Sequence, residues 1–196
     1  MLGGRSTFFV REHVGMFKLA DTFDILDPAS NQQIAIAKEE PGTLIHLLRL
    51  VVNKRLLPTK VVVYEGSDPK AGKVLFSIKK GVALLRSRVD VLDGNGEVVG
   101  WFQSKLLSLG GAFRVFDSGG QEVALVKGDW KGWNFRFLVG DEEIGTVSKK
   151  WAGLGKEFFT SADNYVINLT GDLSDSKAVL LLAAGLAVDV VYKEKG

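Results

Sequence analysis

The sequence predicts a mostly β protein closed around one buried helix, and three observations predict it. First, Lys177 to Tyr192 reads KAVLLLAAGLAVDVVY, apolar all round rather than along one stripe, so it must be enclosed on every side. As a helix it would be roughly 24 Å long, short of the roughly 30 Å of a bilayer core, and it carries Gly185 and Asp189. Enclosure by protein is therefore the expectation. Second, almost everything upstream reads as short strands and Gly-rich turns. Third, Asp93, Asp117 and Asp141 recur at a constant spacing, each inside a strand-turn-strand unit.

Taken in chain order, Phe23 to Ala37 (FDILDPASNQQIAIA) is a faint first hairpin. Thr43 to Leu57 breaks the strand pattern. It places Leu44, Leu47, Leu48 and Val51 on one helical face, between Pro41-Gly42 and Pro58, which predicts an amphipathic helix. Arg49, Lys54 and Arg55 make its polar side basic. Val61 to Tyr64 and Lys73 to Ile78 follow as strands. The three repeated units are VDVLDGNGEVVGWF, FRVFDSGGQEVALV and FRFLVGDEEIGTVS. Alternating apolar residues give each a buried face, and Gly and Asn supply the positive φ that tight hairpins need. Regular hairpins argue for an antiparallel meander, as in a sandwich or barrel.

Composition narrows the function classes. With 25 basic and 23 acidic residues the net charge is +2, too balanced for bulk attraction to nucleic acid. There is no cysteine, hence no thiolate metal site and no thiol nucleophile. The opening MLGGRSTFFVREH lacks the apolar core of a signal peptide and does not fit the myristoylation pattern, so a cytoplasmic location is expected. Neither His13 nor His46 has metal-ligand spacing. Gly153-Leu154-Gly155-Lys156 fails as a phosphate loop, because Lys150 stands where its first Gly belongs and Glu157 follows the Lys. Without an acid/base pair or nucleophile, no enzyme is expected.

The most specific stretch is Ile144 to Asp172, IGTVSKKWAGLGKEFFTSADNYVINLTGD. Its ordered combination of Ile144, Gly145, Ser148, Lys149, Trp151, Gly153, Lys156, Glu157, Phe159, Thr160, Ala162, Asp163 and Asn164, followed closely by an apolar helix, resembles the phospholipid scramblase and LURP-one-related families of the tubby C-terminal-like group. The resemblance implies one domain over residues 1–196, a closed antiparallel barrel of about twelve strands with the hydrophobic helix through its centre. Trp101, Trp130, Trp133 and Trp151 are then expected to pack rather than to cage a ligand.

For function, the resemblance implies a non-enzymatic domain that binds anionic phospholipid or phosphoinositide headgroups at a membrane surface, peripherally on the inner face. Lys149, Lys150 and Lys156, with Arg49, Lys54 and Arg55, are the candidate headgroup residues; Lys79, Lys80, Arg86 and Arg88 are further basic positions. Transbilayer lipid movement and a protein-interaction scaffold are the alternatives. No cofactor is expected. The family's proposed calcium loop matches Ser161 to Asp172, but Asp163, Asn164 and Asp172 make a weak ligand set, since calcium takes six to eight oxygens. A monomer is expected, with an unknown protein partner left open and nucleic acid excluded.

Overall fold

A computed structural model of the chain describes residues 4–13, 20–42, 45, 48, 57–81, 88–104, 112–129, 133–149, 164–171 and 173–189. Twelve strands run in order: β1 (Thr7–Glu12), β2 (Thr22–Leu26), β3 (Gln33–Glu39), β4 (Thr59–Glu65), β5 (Val74–Lys80), β6 (Arg88–Asp93), β7 (Val98–Ser104), β8 (Phe113–Asp117), β9 (Glu122–Asp129), β10 (Asn134–Val139), β11 (Glu142–Ser148) and β12 (Tyr165–Leu169). Helix α1 spans Asp175–Ala187. Each strand pairs antiparallel with its sequence neighbours, and β1 pairs with β12, through registers such as Thr7↔Asn168 and Val10↔Tyr165, to close the barrel. Closure leaves no strand edge to template aggregation.

Period-2 alternation decides what faces inward. Phe8 and Val10, Phe23 and Ile25, Val61 and Val63, Phe76 and Ile78, Phe135 and Phe137 are all buried and belong to one core that includes α1. Beyond its first turn the helix is wrapped: every residue from Val179 to Ala187 is buried. Its length, about 20 Å, is less than a bilayer core requires, and no described helix is long and apolar enough to cross a membrane. Ser174 caps it, its hydroxyl accepting from the Lys177 amide, with Asp175 in the first turn. Two glycines set how closely helix and wall approach. A Cβ on Gly185 would lie 2.6 Å from Ile167 Cδ1, and one on Gly100 would collide with the Phe116 carbonyl oxygen and lie 2.6 Å from Leu180 Cδ2.

The two ends of the barrel are built differently. The turn end collects the β2–β3, β4–β5, β6–β7, β8–β9 and β10–β11 connections, and every one of those hairpins carries a register shift near its turn. Asp93 and Asp117 occupy equivalent places: each accepts from the Gly three residues on and donates its amide to the carbonyl four residues on. Asp141 does not share that place. Its hairpin closes through Gly140-Asp141 alone, between the paired Val139 and Glu142, with Gly140 at φ 59°. The constant Asp spacing therefore marks a two-strand repeat whose third turn is shorter. All six remaining strand-to-strand connections lie at the other, loop end, and each contains residues outside the described set. Most of the helix expected over Thr43 to Leu57 is among them; Ile45 and Leu48 have helical backbone.

Candidate functional site

Most of the predicted basic and metal-ligand positions, Lys150, Lys156, Arg49, Lys54, Arg55, Asp163 and Asp172, lie outside the described residues. Lys149 is placed just beyond β11, at the loop end. Its ammonium sits 4.7 Å from the centre of the Trp133 ring, which also meets Phe135 edge-on and lies 5.1 Å from the Tyr165 ring. Trp133 and Trp101 thus pack as expected, each also carrying a cation on its face; Trp130 and Trp151 are outside the described residues. Asn164 is buried directly before β12. Because β12 runs through the middle of the segment matched to a calcium loop, Asn164 and Gly171 flank opposite ends of a strand about 17 Å long. Among the described residues no group of three His, Cys, Asp or Glu side chains could hold a metal ion.

The structure brings other basic residues together, on the outside of β6 to β10. Alternation turns Phe102, Val115, Val126 and Phe135 inward, so Trp101, Gln103, Arg114, Phe116, Leu125, Lys127 and Arg136 face out. Arg88 stacks over Trp101 at 4.2 Å, and Trp101 stacks on Phe116 with ring centres 5.5 Å apart. Arg88 is also paired with Asp90 at 2.6 Å, and Arg114 approaches Glu122 at 3.6 Å. Lys127 and Arg136 differ from these. They stand directly opposite each other across β9 and β10, both exposed, and among the described residues neither has a carboxylate partner. Like charges directly opposite each other destabilise a sheet.

The turns are rich in acidic side chains. Asp27, Asp68, Asp93, Asp117, Asp141, Glu142 and Glu143 all lie at or beside the turn end. Local amides hold some of them ionised. The Ala29 amide, aided by Arg5, lowers the pKa of Asp27, and the Glu97 and Asn95 amides lower that of Asp93. The outer basic residues Arg88, Arg114, Lys127 and Arg136, together with Lys149, sit instead in the halves of their strands nearer the loop end.

Inside the loop end the core becomes polar. Glu39, Thr59, Lys80, Asn164 and Asp189 are all buried there. Burial, with the charges of Asp189 and Glu12, pushes the Tyr165 phenol well above its ordinary value. Outside, Tyr64 donates to Glu40, which also accepts from Lys60 at 2.9 Å. That hydrogen bond first, and burial second, push Tyr64 up to about 12. On Glu40, burial acts upward but is outweighed by the Tyr64 and Lys60 hydrogen bonds, so its pKa falls.

A barrel closed around an apolar helix, ending in the motif region that β11 and β12 flank, agrees with what comparison with known proteins finds. The profile of the scramblase family, described simply as Scramblase, matches residues 71–195. This chain belongs to the scramblase family. Two curated relatives, Phospholipid scramblase 1 of Mus musculus and of Rattus norvegicus, are each 37% identical to it over 57 residues, which is 28% of this chain and 17% of the relative. The match thus spans well under two thirds of those relatives. No solved structure matches. The scramblase profile covers β5 to α1, and with them the outer basic face.

Sequence reading did not single out Arg114, Lys127 and Arg136, although it named Arg88. The signal was present in the alternation: an outward basic residue in each of three consecutive strands. Seeing Lys127 beside Arg136 required the register of the β9–β10 pair, which the loop between them does not disclose.

Proposed function

We propose that this scramblase-family barrel binds anionic phospholipid headgroups reversibly at a membrane surface, through the outer face of β6 to β10 and the adjoining loop end. The observation that carries this reading is the directly opposed pair Lys127 and Arg136, which has no carboxylate partner among the described residues and whose repulsion a bound anion would relieve. A phosphate or phospholipid carboxylate supplies it. Trp101, half-buried between Arg88 and Phe116, adds a side chain suited to the headgroup level. Each basic residue near an anionic leaflet contributes about 1 kcal/mol. Two unpaired cations therefore give weak, salt-sensitive attachment, which agrees with peripheral binding. The names of the relatives, both phospholipid scramblases, support a phospholipid as the ligand class.

Insertion of α1 into lipid is the less favoured route to a membrane role. The helix would have to leave a core in which Leu181, Ala183, Ala184 and Leu186 are completely buried, and Asp189 would enter hydrocarbon at about 2.5–3.5 kcal/mol. Binding rather than catalysis is the expected activity, and the acidic turn end is expected to face away from the membrane. Co-sedimentation tests the proposal. The protein should pellet with phosphatidylserine-containing vesicles, less so as salt rises, and not with pure phosphatidylcholine. Equal pelleting with both, indifferent to salt, would contradict it.

A further inference from the structure

The register carries the opposed basic pair further around the barrel. Arg136 stands opposite Lys127 on one side and Thr146 on the other, Thr146 stands opposite Asn168, and Asn168 opposite Thr7. Their strand neighbours Val126, Phe135, Phe137, Val147, Ile167 and Phe8 are all buried in the core, so the whole row faces out. Lys127 and Arg136 are exposed, Thr146 and Asn168 half-buried. Among the described residues one side-chain hydrogen bond runs along the row: the Thr7 hydroxyl donates to Asn168 Oδ1 at 2.9 Å. It occupies the amide oxygen and leaves the Nδ2 hydrogens to donate elsewhere. Lys127, Arg136 and Thr146 have no side-chain partner among the described residues. Strands β9 to β12 therefore present an ammonium, a guanidinium, a hydroxyl and an amide in line, each with hydrogens to donate.

We infer that this row binds the headgroup of a phosphodiester lipid that carries an uncharged polyol, a glycerol or an inositol; the inference rests on the membrane-binding reading above and names its ligand class. Lys127 and Arg136 take the phosphate oxygens, and the next two strands take what lies beyond them. Neighbouring strands are about 4.8 Å apart, so Thr146 and Asn168 stand roughly 5 and 10 Å from Arg136. That is the reach of a glycerol or a polyol ring attached to the phosphate. Hydroxyl oxygens accept from Asn168 and both donate to and accept from Thr146. An ammonium in the same place has hydrogens only, and at Asn168 it meets another donor. A second phosphate is opposed by Glu143, exposed on the same outer face opposite Leu138, one step towards the turn end. Charge alone does not tell such headgroups apart, whereas the donors of Thr146 and Asn168 do.

The test compares lipids of equal charge. Phosphatidylglycerol and phosphatidylethanol are both monoanionic phosphodiesters, and only the first carries hydroxyls on its headgroup. In co-sedimentation at matched lipid fraction and salt, the protein should bind phosphatidylglycerol vesicles about fivefold more tightly, the gain of about one net hydrogen bond. Thr146→Val combined with Asn168→Leu should abolish that preference while leaving phosphatidylethanol binding as in the wild type, and Thr146→Ser should keep it. If the double variant fails to fold, Thr146→Val alone, nearly isosteric, should reduce the preference. Equal binding of the two lipids by the wild type, or a preference that survives in a folded Thr146→Val, Asn168→Leu protein, overturns the inference and leaves membrane attachment by charge intact. Failure to bind either lipid, with phosphatidylserine vesicles also unbound, overturns both readings. Calorimetry with glycerophosphoglycerol, the deacylated headgroup, separates the sources. It should bind far more weakly than the vesicles, and equal affinity would overturn the lipid in favour of a free phosphodiester.

Discussion

The turn end and the loop end of this barrel share the same strands but solve different problems. At the turn end, short hairpins close within a few residues, acidic side chains are satisfied by nearby amides, and the core beneath stays apolar down to Ser174 and the helix start. At the loop end, longer connections gather, basic residues face outward, and the interior admits Glu39, Lys80 and Asp189. Local chemistry governs the first end, and contacts between residues far apart in sequence govern the second. The surface suited to an anionic partner is assembled across strands.

The largest effect that would sharpen this contrast is on the shared core. Leu181→Ala, at a completely buried helix position, should cost about 2–5 kcal/mol of unfolding free energy in denaturant titration. A loss below 1 kcal/mol would mean the helix is not held as described. Next comes the charged face. Replacing Lys127 and Arg136 together by Gln should weaken binding to phosphatidylserine vesicles by about 2 kcal/mol, roughly thirtyfold. Replacing Asp93 and Asp141 by Asn, at the other end, should leave that affinity within a factor of about two at physiological salt, because the turn end lies beyond a Debye length of the surface. Equal effects from both ends would erase the distinction.

Gly185→Ala is smaller and sets two effects against each other. A helix interior gains about 1 kcal/mol from Ala over Gly, but the new Cβ would meet Ile167 at 2.6 Å, and overpacking costs about 1–3 kcal/mol. The contact should win, with a net loss of about 1 kcal/mol by thermal unfolding; a gain would show that β12 yields. Smallest is the pH effect of the turns. Asp93 has its pKa lowered in the folded state from an ordinary value of 3.8. Its contribution is therefore present above that value and lost as pH falls through the lower one. Asp93→Asn should remove this part of the acid dependence of Tm by lowering Tm slightly at pH 7, where the contribution is present, with the two proteins converging at low pH.

How much of this was legible in the sequence follows the same division. The hairpins at Phe23 to Ala37 and in the three repeated units became β2–β3, β6–β7, β8–β9 and β10–β11, since alternation and turn residues are local signals. The apolar helix was readable for the same reason. β12 was not. Tyr165 to Leu169 sits inside a segment that looks like a ligand loop, and only its pairing with β1 and β11 makes it a wall strand. The candidate site was harder still. Lys149 was named, but the Lys127–Arg136 pair depends on register.

The central claim is that the loop end, with the outer face of β6 to β10, meets the membrane while the turn end does not. The chain contains no cysteine, so a single one can carry an environment-sensitive fluorophore. Gln103→Cys places it on the basic face between Arg88 and Arg114, and Asn95→Cys places it in the β6–β7 turn. On adding phosphatidylserine vesicles, the label at 103 should shift to the blue and be quenched by spin-labelled lipid, with the label at 95 unchanged. Quenching at 95 and not at 103 would contradict the account.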